Sequence, residues 1–183
     1  MRRLLALLLL GPGAHAASPP PRVTATDLAM PLVRQTYNAC GPASLEMLLG
    51  YWGLKVPQAV ISPQVRPSPT AYTPVNTIAP FAAQYGLQTL LVSHATVNTV
   101  RSLLARKVPS LLLTDLKTPG KVPHWRVASG FNDARRAVNF HDPLLGHVAI
   151  GYDDLQQLWA NHQGLLVVLY PPAWAAYVKA GLL

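Results

Sequence analysis

The order of its secondary-structure patterns constrains the fold of this chain most strongly. Helical patterns dominate the first part, and strand patterns separated by short turns become prominent from Trp125 onward. The predicted helices cover residues 42–49, 74–85, 96–107, 152–162 and 173–180, and the predicted strands cover 88–92, 110–114, 125–131, 137–141 and 165–170. Residues 57–74 are rich in Pro, Ser and Thr, so we expect a loop there with at most a short helix over 58–61. Helices followed by a mainly antiparallel sheet indicate an α+β domain.

The first sixteen residues have the features of a secretory signal. Arg2 and Arg3 precede a Leu-rich core over residues 4–10, and Ala14-His15-Ala16 is a typical cleavage site. The apolar core is too short to span a bilayer, and no later apolar run is long enough for a membrane helix. We therefore predict a secreted, periplasmic or cell-envelope protein with a signal over 1–16, an extended segment over 17–27 and one domain over 28–183. A retained N-terminal anchor is the alternative.

The charge of the chain argues against a nucleic-acid partner. The formal net charge is +8 at pH 7, but the basic residues are scattered, with no long run and no interleaved aromatic residues. This pattern indicates solubility and a loose attraction to anionic cell envelopes. The chain has a single cysteine, Cys40, which cannot form an internal disulfide. In an exported protein, we therefore expect this thiol to have a functional role.

Cys40 lies directly before a helical segment, in the sequence Gln35-Thr36-Tyr37-Asn38-Ala39-Cys40-Gly41-Pro42-Ala43-Ser44. Pro42 suits the first helical position, because its missing N–H would be unpaired there. The first turn of a helix presents unpaired N–H groups and the positive end of the helix dipole, and both favour a thiolate over a thiol. Five residues upstream, Gln35 carries an amide N–H that can stabilise an oxyanion. We interpret Cys40 as a nucleophile and Gln35 as its oxyanion donor; a buried structural cysteine is the alternative.

A cysteine nucleophile needs a base, and the base needs an orienting group. The predicted strands 125–131 and 137–141 are joined by a turn-prone segment around Asp133. A turn centred on Asp133 sets His124 opposite Asp142, close enough for the carboxylate to hold the imidazole. His141 adjoins Asp142 but faces the other side of the strand. The remaining histidines lie in a predicted loop, a loop after a strand and a helix end, and they are weaker candidates: His94, His147 and His162.

These residues resemble the motifs of a known family. The ordered set consists of Gln35, Cys40-Gly41-Pro42, Tyr85-Gly86-Leu87, Pro123-His124-Trp125 and His141-Asp142-Pro143. It is similar to the bacteriocin-processing (double-glycine leader) cysteine peptidases, in particular to their stand-alone secreted relatives, over residues 32–170. The resemblance implies a papain-like fold. It also implies that Cys40 attacks, His124 acts as the base, Asp142 orients His124, and Gln35 helps to form the oxyanion hole.

The predicted function is hydrolysis of peptide bonds in a peptide or protein substrate, without a cofactor or a metal. Two alternatives use the same scaffold: a secreted module that binds a peptide without cutting it, and an acyl or amide transferase with the same triad. A metal site built from His141, Asp142 and His147 has suitable ligand types but no spacing signature. No G-x-S-x-G motif occurs, which argues against a serine hydrolase.

Overall fold

The structure is a computed structural model that describes residues 23–182; the predicted signal over 1–16 and the start of the 17–27 segment lie outside these residues. Within them, seven strands form one sheet: β1 (Ala25–Asp27), β2 (Gln88–Val92), β3 (Ser110–Asp115), β4 (Pro123–Asn132), β5 (Ala137–Asp142), β6 (Gly146–Gly151) and β7 (Leu166–Tyr170). The strand order is β2-β7-β3-β4-β5-β6, with β1 paired to β4. All these pairs are antiparallel, so the predicted α+β class with a mainly antiparallel sheet is confirmed.

Helices cover both faces of the sheet. They are α1 (Cys40–Tyr51), α2 (Gln58–Val65), α3 (Ile78–Ala83), α4 (Val97–Ala105), α5 (Tyr152–Ala160) and α6 (Ala175–Ala180). The helices α1, α2 and α3 share one apolar core with Leu111 and Val167, whereas α4, α5 and α6 share a second core with Leu112 and Val168. Successive strand residues point to opposite faces, so β3 and β7 contribute to both cores in alternation.

Helix α1 begins two residues earlier than predicted, with Cys40 and not Pro42 as its first residue. The missing N–H of Pro42 still removes no helical hydrogen bond. The first such bond runs from the N–H of Ala43 to the carbonyl of Ala39 (3.0 Å). The helix also continues through Gly50, where an added Cβ would lie 2.7 Å from Cγ of Pro31. Gly50 therefore permits close packing and does not end the helix.

Two other predicted helices differ from the structure. Helix α2 extends to Val65, past the predicted end at residue 61, because Ile61 and Val65 lie one turn apart and are both buried in the α1 core. The predicted helix over 74–85 is a short 3-10 turn (Val75–Thr77) followed by α3, which ends at Ala83. The predicted start of α4 is confirmed, since the Thr96 side chain accepts a hydrogen bond from the N–H of Thr99 (3.3 Å).

Strand β6 was not predicted, and His147, expected in a loop, lies in it opposite His141. This strand has glycines at both ends and is only partly buried at the edge of the sheet, so its apolar pattern is weak. Within residues 23–182, no helix is both long enough and apolar enough to cross a membrane.

Candidate active site

The nucleophile candidate sits on a tight turn at the start of a buried helix. The N–H of Ala39 donates to the carbonyl of Thr36 (3.1 Å), and Asn38 adopts a left-handed conformation with φ of 50°. This turn delivers Cys40 to the first position of α1, where no side chain caps the helix. The unpaired N–H groups of the first turn are therefore available to a negative charge at this end of the helix. Cys40 itself is 3% exposed.

Helix α1 is fastened to β4 beside the base candidate. The hydroxyl of Ser44, one turn after Cys40, donates to the carbonyl of Trp125 (3.2 Å). The indole Nε1 of Trp125 donates to the carbonyl of Thr73 (3.1 Å), and a Cβ added to Gly41 would lie 2.2 Å from Oγ1 of Thr73. Any side chain at position 41 would collide with Thr73, so a glycine is required directly after Cys40.

His124 connects Cys40 with Asp142. Its Nε2 lies 3.0 Å from Oδ1 of Asp142, and its imidazole is close enough to Cys40 for each group to shift the pKa of the other. An ionised carboxylate only accepts hydrogen bonds, so Nε2 carries the hydrogen toward Asp142. The Nδ1 atom is then the nitrogen left for the thiol of Cys40. The contact with Asp142 therefore fixes the tautomer of the imidazole.

Asp142 ends β5, is fully buried and is held from several sides. Its Oδ1 accepts from His124 and also from the backbone N–H groups of Leu144 (2.9 Å) and Leu145 (2.8 Å). Pro143 has no N–H, so the carboxylate bonds to the next two residues along the turn. The other oxygen, Oδ2, lies 3.5 Å from Nε of Arg126, which makes a buried ion pair.

The predicted register of the β4–β5 hairpin is wrong, although His124 and Asp142 lie side by side. The turn covers residues 133–136, so Asn132 pairs with Ala137, and a bulge after Ala128 shifts the register again. Beyond the bulge Val127 pairs with His141, and continuing this register sets Arg126 opposite Asp142. His124 is therefore a diagonal neighbour of Asp142 on the same face, and the long imidazole spans the extra distance.

The structure joins Gln35 to the site through its backbone. The N–H of Gln35 donates to the carbonyl of Pro143 (3.0 Å), and Nη1 of Arg34 donates to the carbonyl of Leu144 (2.8 Å). The chain before the Cys40 turn is thereby attached to the Asp142 turn. Within residues 23–182, Oε1 of Gln35 is buried without a hydrogen-bond partner, and no side-chain hydrogen bond links Gln35 to Cys40. His124 thus interacts with both Asp142 and Cys40, and Gln35 is joined by its backbone to the turn that follows Asp142.

The alternative metal ligands do not converge. Nδ1 of His141 lies 2.9 Å from the hydroxyl of Ser129, and its ring packs on that of His147 with centroids 4.3 Å apart. Asp142 instead contacts His124 and Arg126. The part of the chain that the structure describes contains no group of three or more His, Cys, Asp or Glu side chains arranged to hold a metal.

Arg126 was not singled out from the sequence, although a signal was present. Arginine is rarely found inside a strand whose neighbours are all apolar, and Arg126 stands between Trp125 and Val127. In the structure its side chain is fully buried beside Asp142.

The electrostatics of the site favour a thiolate–imidazolium pair. Burial raises the pKa of the Cys40 thiol, but the hydrogen bond and charge of His124, with the N–H groups of Trp125 and Gly41, bring the pKa below its ordinary value. Burial lowers the pKa of His124, but Asp142 and Cys40 raise it above its ordinary value. A lowered thiol pKa and a raised imidazole pKa widen the pH range in which both groups are charged.

We expect native Cys40 to react with iodoacetamide at a pH well below that needed by an ordinary thiol. The thiolate is the reactive form, and a free cysteine has a pKa of about 8.5, so the native midpoint should fall below this value. The measurement is the alkylation rate against pH, by mass spectrometry, for native and denatured protein. The midpoint is compared and not the absolute rate, because burial slows the reaction at every pH. Equal midpoints in the two states would contradict the ion pair.

An open cavity of about 600 Å³ adjoins the segment that precedes Cys40. Its lining includes Thr36 and Tyr37 before the nucleophile, Ala59 and Pro63 of α2, and residues 66–70. Arg66 holds that last segment in place, since its Nε donates to the carbonyl of Ala71 (2.8 Å) and its guanidinium also contacts the carbonyl of Pro69. The Pro-rich segment therefore forms one wall of this cavity.

Comparison with known proteins identifies the family. Residues 27–165 match the model of the Peptidase_C39-like family, and none of the curated proteins compared matches the chain. Three solved structures share the fold. A double-glycine motif protease from an AMS/PCAT transporter, in complex with the leader peptide, is 20% identical, with a TM-score of 0.61 over 79% of this chain and 94% of that one.

The other two are also peptidases by description. The peptidase domain of Streptococcus ComA, a bifunctional ABC transporter in a quorum-sensing pathway, is 20% identical (TM-score 0.64, 76% of this chain, 97% of that one). A Bacillus anthracis protein described as a C39-like peptidase is 14% identical (TM-score 0.63, 76% and 93%). The predicted papain-like fold and the predicted family are confirmed. The chain belongs to the Peptidase_C39-like family, and this membership supports a function of the cysteine-peptidase type.

Proposed function

We propose that this protein is an exported cysteine peptidase that hydrolyses peptide bonds with Cys40 as its nucleophile. The observation that carries this proposal is the position of His124, whose Nε2 bonds to Asp142 (3.0 Å) and whose imidazole lowers the pKa of the Cys40 thiol. Each of these residues has the chemistry that its role requires: a thiol at a helix N-terminus, an imidazole with a fixed tautomer, and a buried carboxylate.

In the proposed mechanism, the thiolate of Cys40 attacks the carbonyl carbon of the scissile peptide bond. The amide N–H of Gln35 and the backbone N–H of Cys40 stabilise the oxyanion of the tetrahedral intermediate. The imidazolium of His124 then protonates the leaving amine, and the resulting thioester holds the acyl part of the substrate on Cys40. Neutral His124 next takes a proton from water, which hydrolyses the thioester and restores the thiolate–imidazolium pair. Asp142 holds the imidazole in orientation throughout.

A peptide or protein substrate fits the surroundings of the site. The cavity is open to solvent and is lined by Thr36 and Tyr37, which lie four and three positions before Cys40 in the chain, so a bound peptide would lie against the segment that leads to the thiol. A solved structure with the same fold carries a leader peptide, which supports a peptide ligand for this chain as well. The cavity wall over residues 66–70 is part of this proposed cleft.

The proposed export depends on the signal features of residues 1–16. N-terminal sequencing of the protein recovered from outside the cytosol should begin at Ala17, because cleavage follows the Ala14-His15-Ala16 site. A protein found only in the cytosol with Met1 intact would contradict export without affecting the proposed chemistry.

The test of the function is digestion of a diverse peptide library, read by mass spectrometry. The mature protein should generate new peptide termini at preferred sequences, and Cys40→Ala should generate none. A binding module would retain peptides without cutting them, and a transferase would produce ligated products or release ammonia. Either of those outcomes would replace the proposed hydrolysis. A metal chelator should leave cleavage unchanged.

Gln35→Ala is expected to lower kcat by about 10² to 10³, the typical effect of one oxyanion donor. KM should change little, because the donor acts mainly on the charge that develops during reaction. The matched control is Gln84→Ala, which removes an exposed amide directly after the end of α3. An unchanged kcat in Gln35→Ala would assign the oxyanion to backbone donors alone.

A further inference from the structure

We propose that Arg126 is a positioning residue that keeps Asp142 and Cys40 ionised at the same time. It supplies the second positive charge of a buried four-charge cluster, together with His124. The role in catalysis rests on the proposed function, whereas the effect on the thiol of Cys40 does not.

The guanidinium of Arg126 is fixed in place by the backbone around the end of β3. Its Nη2 donates to the carbonyls of Asp115 (3.2 Å) and Leu116 (2.8 Å), and its Cζ lies 5.7 Å from the ring centroid of Phe140. The Nε atom points at Oδ2 of Asp142 from 3.5 Å, which is an ionic contact and too long for a good hydrogen bond. Within residues 23–182, neither of these two atoms has a hydrogen-bond partner. Arg126 therefore acts on Asp142 by its charge and leaves Oδ1 free for His124.

Arg126 balances the net charge of the site when Cys40 and Asp142 are both ionised. When the site is ready to react, Cys40 and Asp142 are negative and His124 is positive, which leaves one uncompensated negative charge in a buried region. Burying an unbalanced negative charge costs free energy, and an acidic group avoids this cost by taking up a proton, which raises its pKa. An arginine side chain remains protonated in a protein, so Arg126 does not give up its proton to Asp142 or Cys40. With Arg126 present, the cluster is neutral while both acids are ionised.

Other charged groups near the cluster are directed elsewhere. The carboxylate of Asp115 accepts from Nε2 of His162 (3.1 Å) and Nδ2 of Asn161 (3.0 Å), so only its backbone carbonyl meets Arg126. On β5 and β6, His141 and His147 pack on each other. On α1, Glu46 accepts from the N–H of Gln58 (2.6 Å). Burial lowers the pKa of Arg126, and the two charges that oppose this shift are those of Asp142 and Cys40.

The test compares Arg126→Met, which removes the charge, with Arg126→Lys, which keeps it but loses the fork of donors. The readout is the pH midpoint of Cys40 alkylation by iodoacetamide, measured on protein shown to unfold cooperatively. We expect Arg126→Met to raise the midpoint by about one pH unit, at the low end of the effect of a neighbouring opposite charge. Arg126→Lys should keep the midpoint near its original value. Arg101→Met is the matched control, since Arg101 pairs with Asp133 at the opposite end of β4 and should not affect the midpoint.

A purely structural Arg126 predicts a different pattern. In that case both variants lose stability, and the lysine and methionine variants have the same alkylation midpoint, whether unchanged or shifted. Equal midpoints in the two variants would overturn the proposal. If Arg126→Met does not fold, Arg126→Gln takes its place as the neutral variant. If no neutral variant folds, a raised midpoint in the lysine variant overturns the proposal, because a retained positive charge should keep the midpoint near its original value.

Cleavage of library peptides is measured in the same samples, which separates this inference from the proposed function. A raised midpoint in Arg126→Met supports the role of Arg126, and it counts against the peptidase only if the unchanged protein also cleaves no peptide. Cleavage together with an unmoved midpoint in Arg126→Met supports the peptidase and overturns the role of Arg126.

Discussion

Replacing His124 by alanine is expected to lower kcat for peptide cleavage by about 10⁴-fold or more, the usual result of removing a member of such a triad. Two effects combine. The thiol of Cys40 loses the partner that lowers its pKa against the opposing effect of burial, so less thiolate is present at neutral pH. The leaving amine also loses its proton donor. The alkylation midpoint of Cys40 should therefore rise above that of the unchanged protein.

The chain offers a matched control for this variant in a second histidine–aspartate pair. Nε2 of His162 lies 3.1 Å from Oδ1 of Asp115, almost the same geometry as His124 with Asp142. His162→Ala removes an imidazole from a buried carboxylate without touching the thiol, so it should leave kcat and the alkylation midpoint near their original values. If the two variants lose activity equally, the loss in His124→Ala reflects damage to the fold and not the removal of a base.

Asp142→Asn is expected to lower kcat by about 10⁴-fold while KM changes little. The amide loses the negative charge that favours imidazolium. Three donors also meet at Oδ1, from His124, Leu144 and Leu145. If the amide oxygen of the new side chain keeps its bonds to the backbone N–H groups, the amide NH₂ faces the cation of Arg126. If the amide group turns over, the NH₂ faces Nε2 of His124, which must then accept a hydrogen bond and carry its proton on Nδ1. A histidine with its proton on Nδ1 does not accept one from Cys40.

The measurement is kcat and KM determined separately, with Asp115→Asn as the matched control. Asp115 is also buried and contacts a histidine, but its carboxylate bonds to His162 and Asn161 and not to His124, so its variant should lose stability more than activity. Full activity in Asp142→Asn would require another orienting group. Activity that is lost to a chelator and restored by zinc would require a metal mechanism in place of the triad.

The sequence predicted most reliably those local features, such as helix ends, that depend on one type of residue at one position. Thr96 caps α4 as predicted, and Cys40 lies in the first turn of its helix because the Gly-Pro pair after it tolerates unpaired N–H positions. Such features depend on a few neighbouring residues. They can therefore be read without knowledge of the rest of the fold.

The hairpin geometry could not be predicted in the same way. A bulge between Ala128 and Gly130 and a turn over 133–136 together shift the register, and neither follows from turn-prone residues alone. His124 and Asp142 nevertheless lie together, because diagonal neighbours on one face are within reach of a long side chain. Arg126 was overlooked for a related reason: its partners Asp115, Leu116 and Asp142 come from two other places in the chain.

The attachment of Arg34 and Gln35 to the Asp142 turn has a consequence for the timing of activity. Arg34 and Leu144 are 110 positions apart in the chain, and Cys40 precedes its base candidate by most of that distance. Contacts of such long range form late in folding, after the loops that separate them have closed. A nascent or unfolded chain therefore carries an unactivated thiol, and the reactive group appears only when β4 and β5 have joined the sheet. We therefore expect the thiol of Cys40 to become reactive only once the fold is complete.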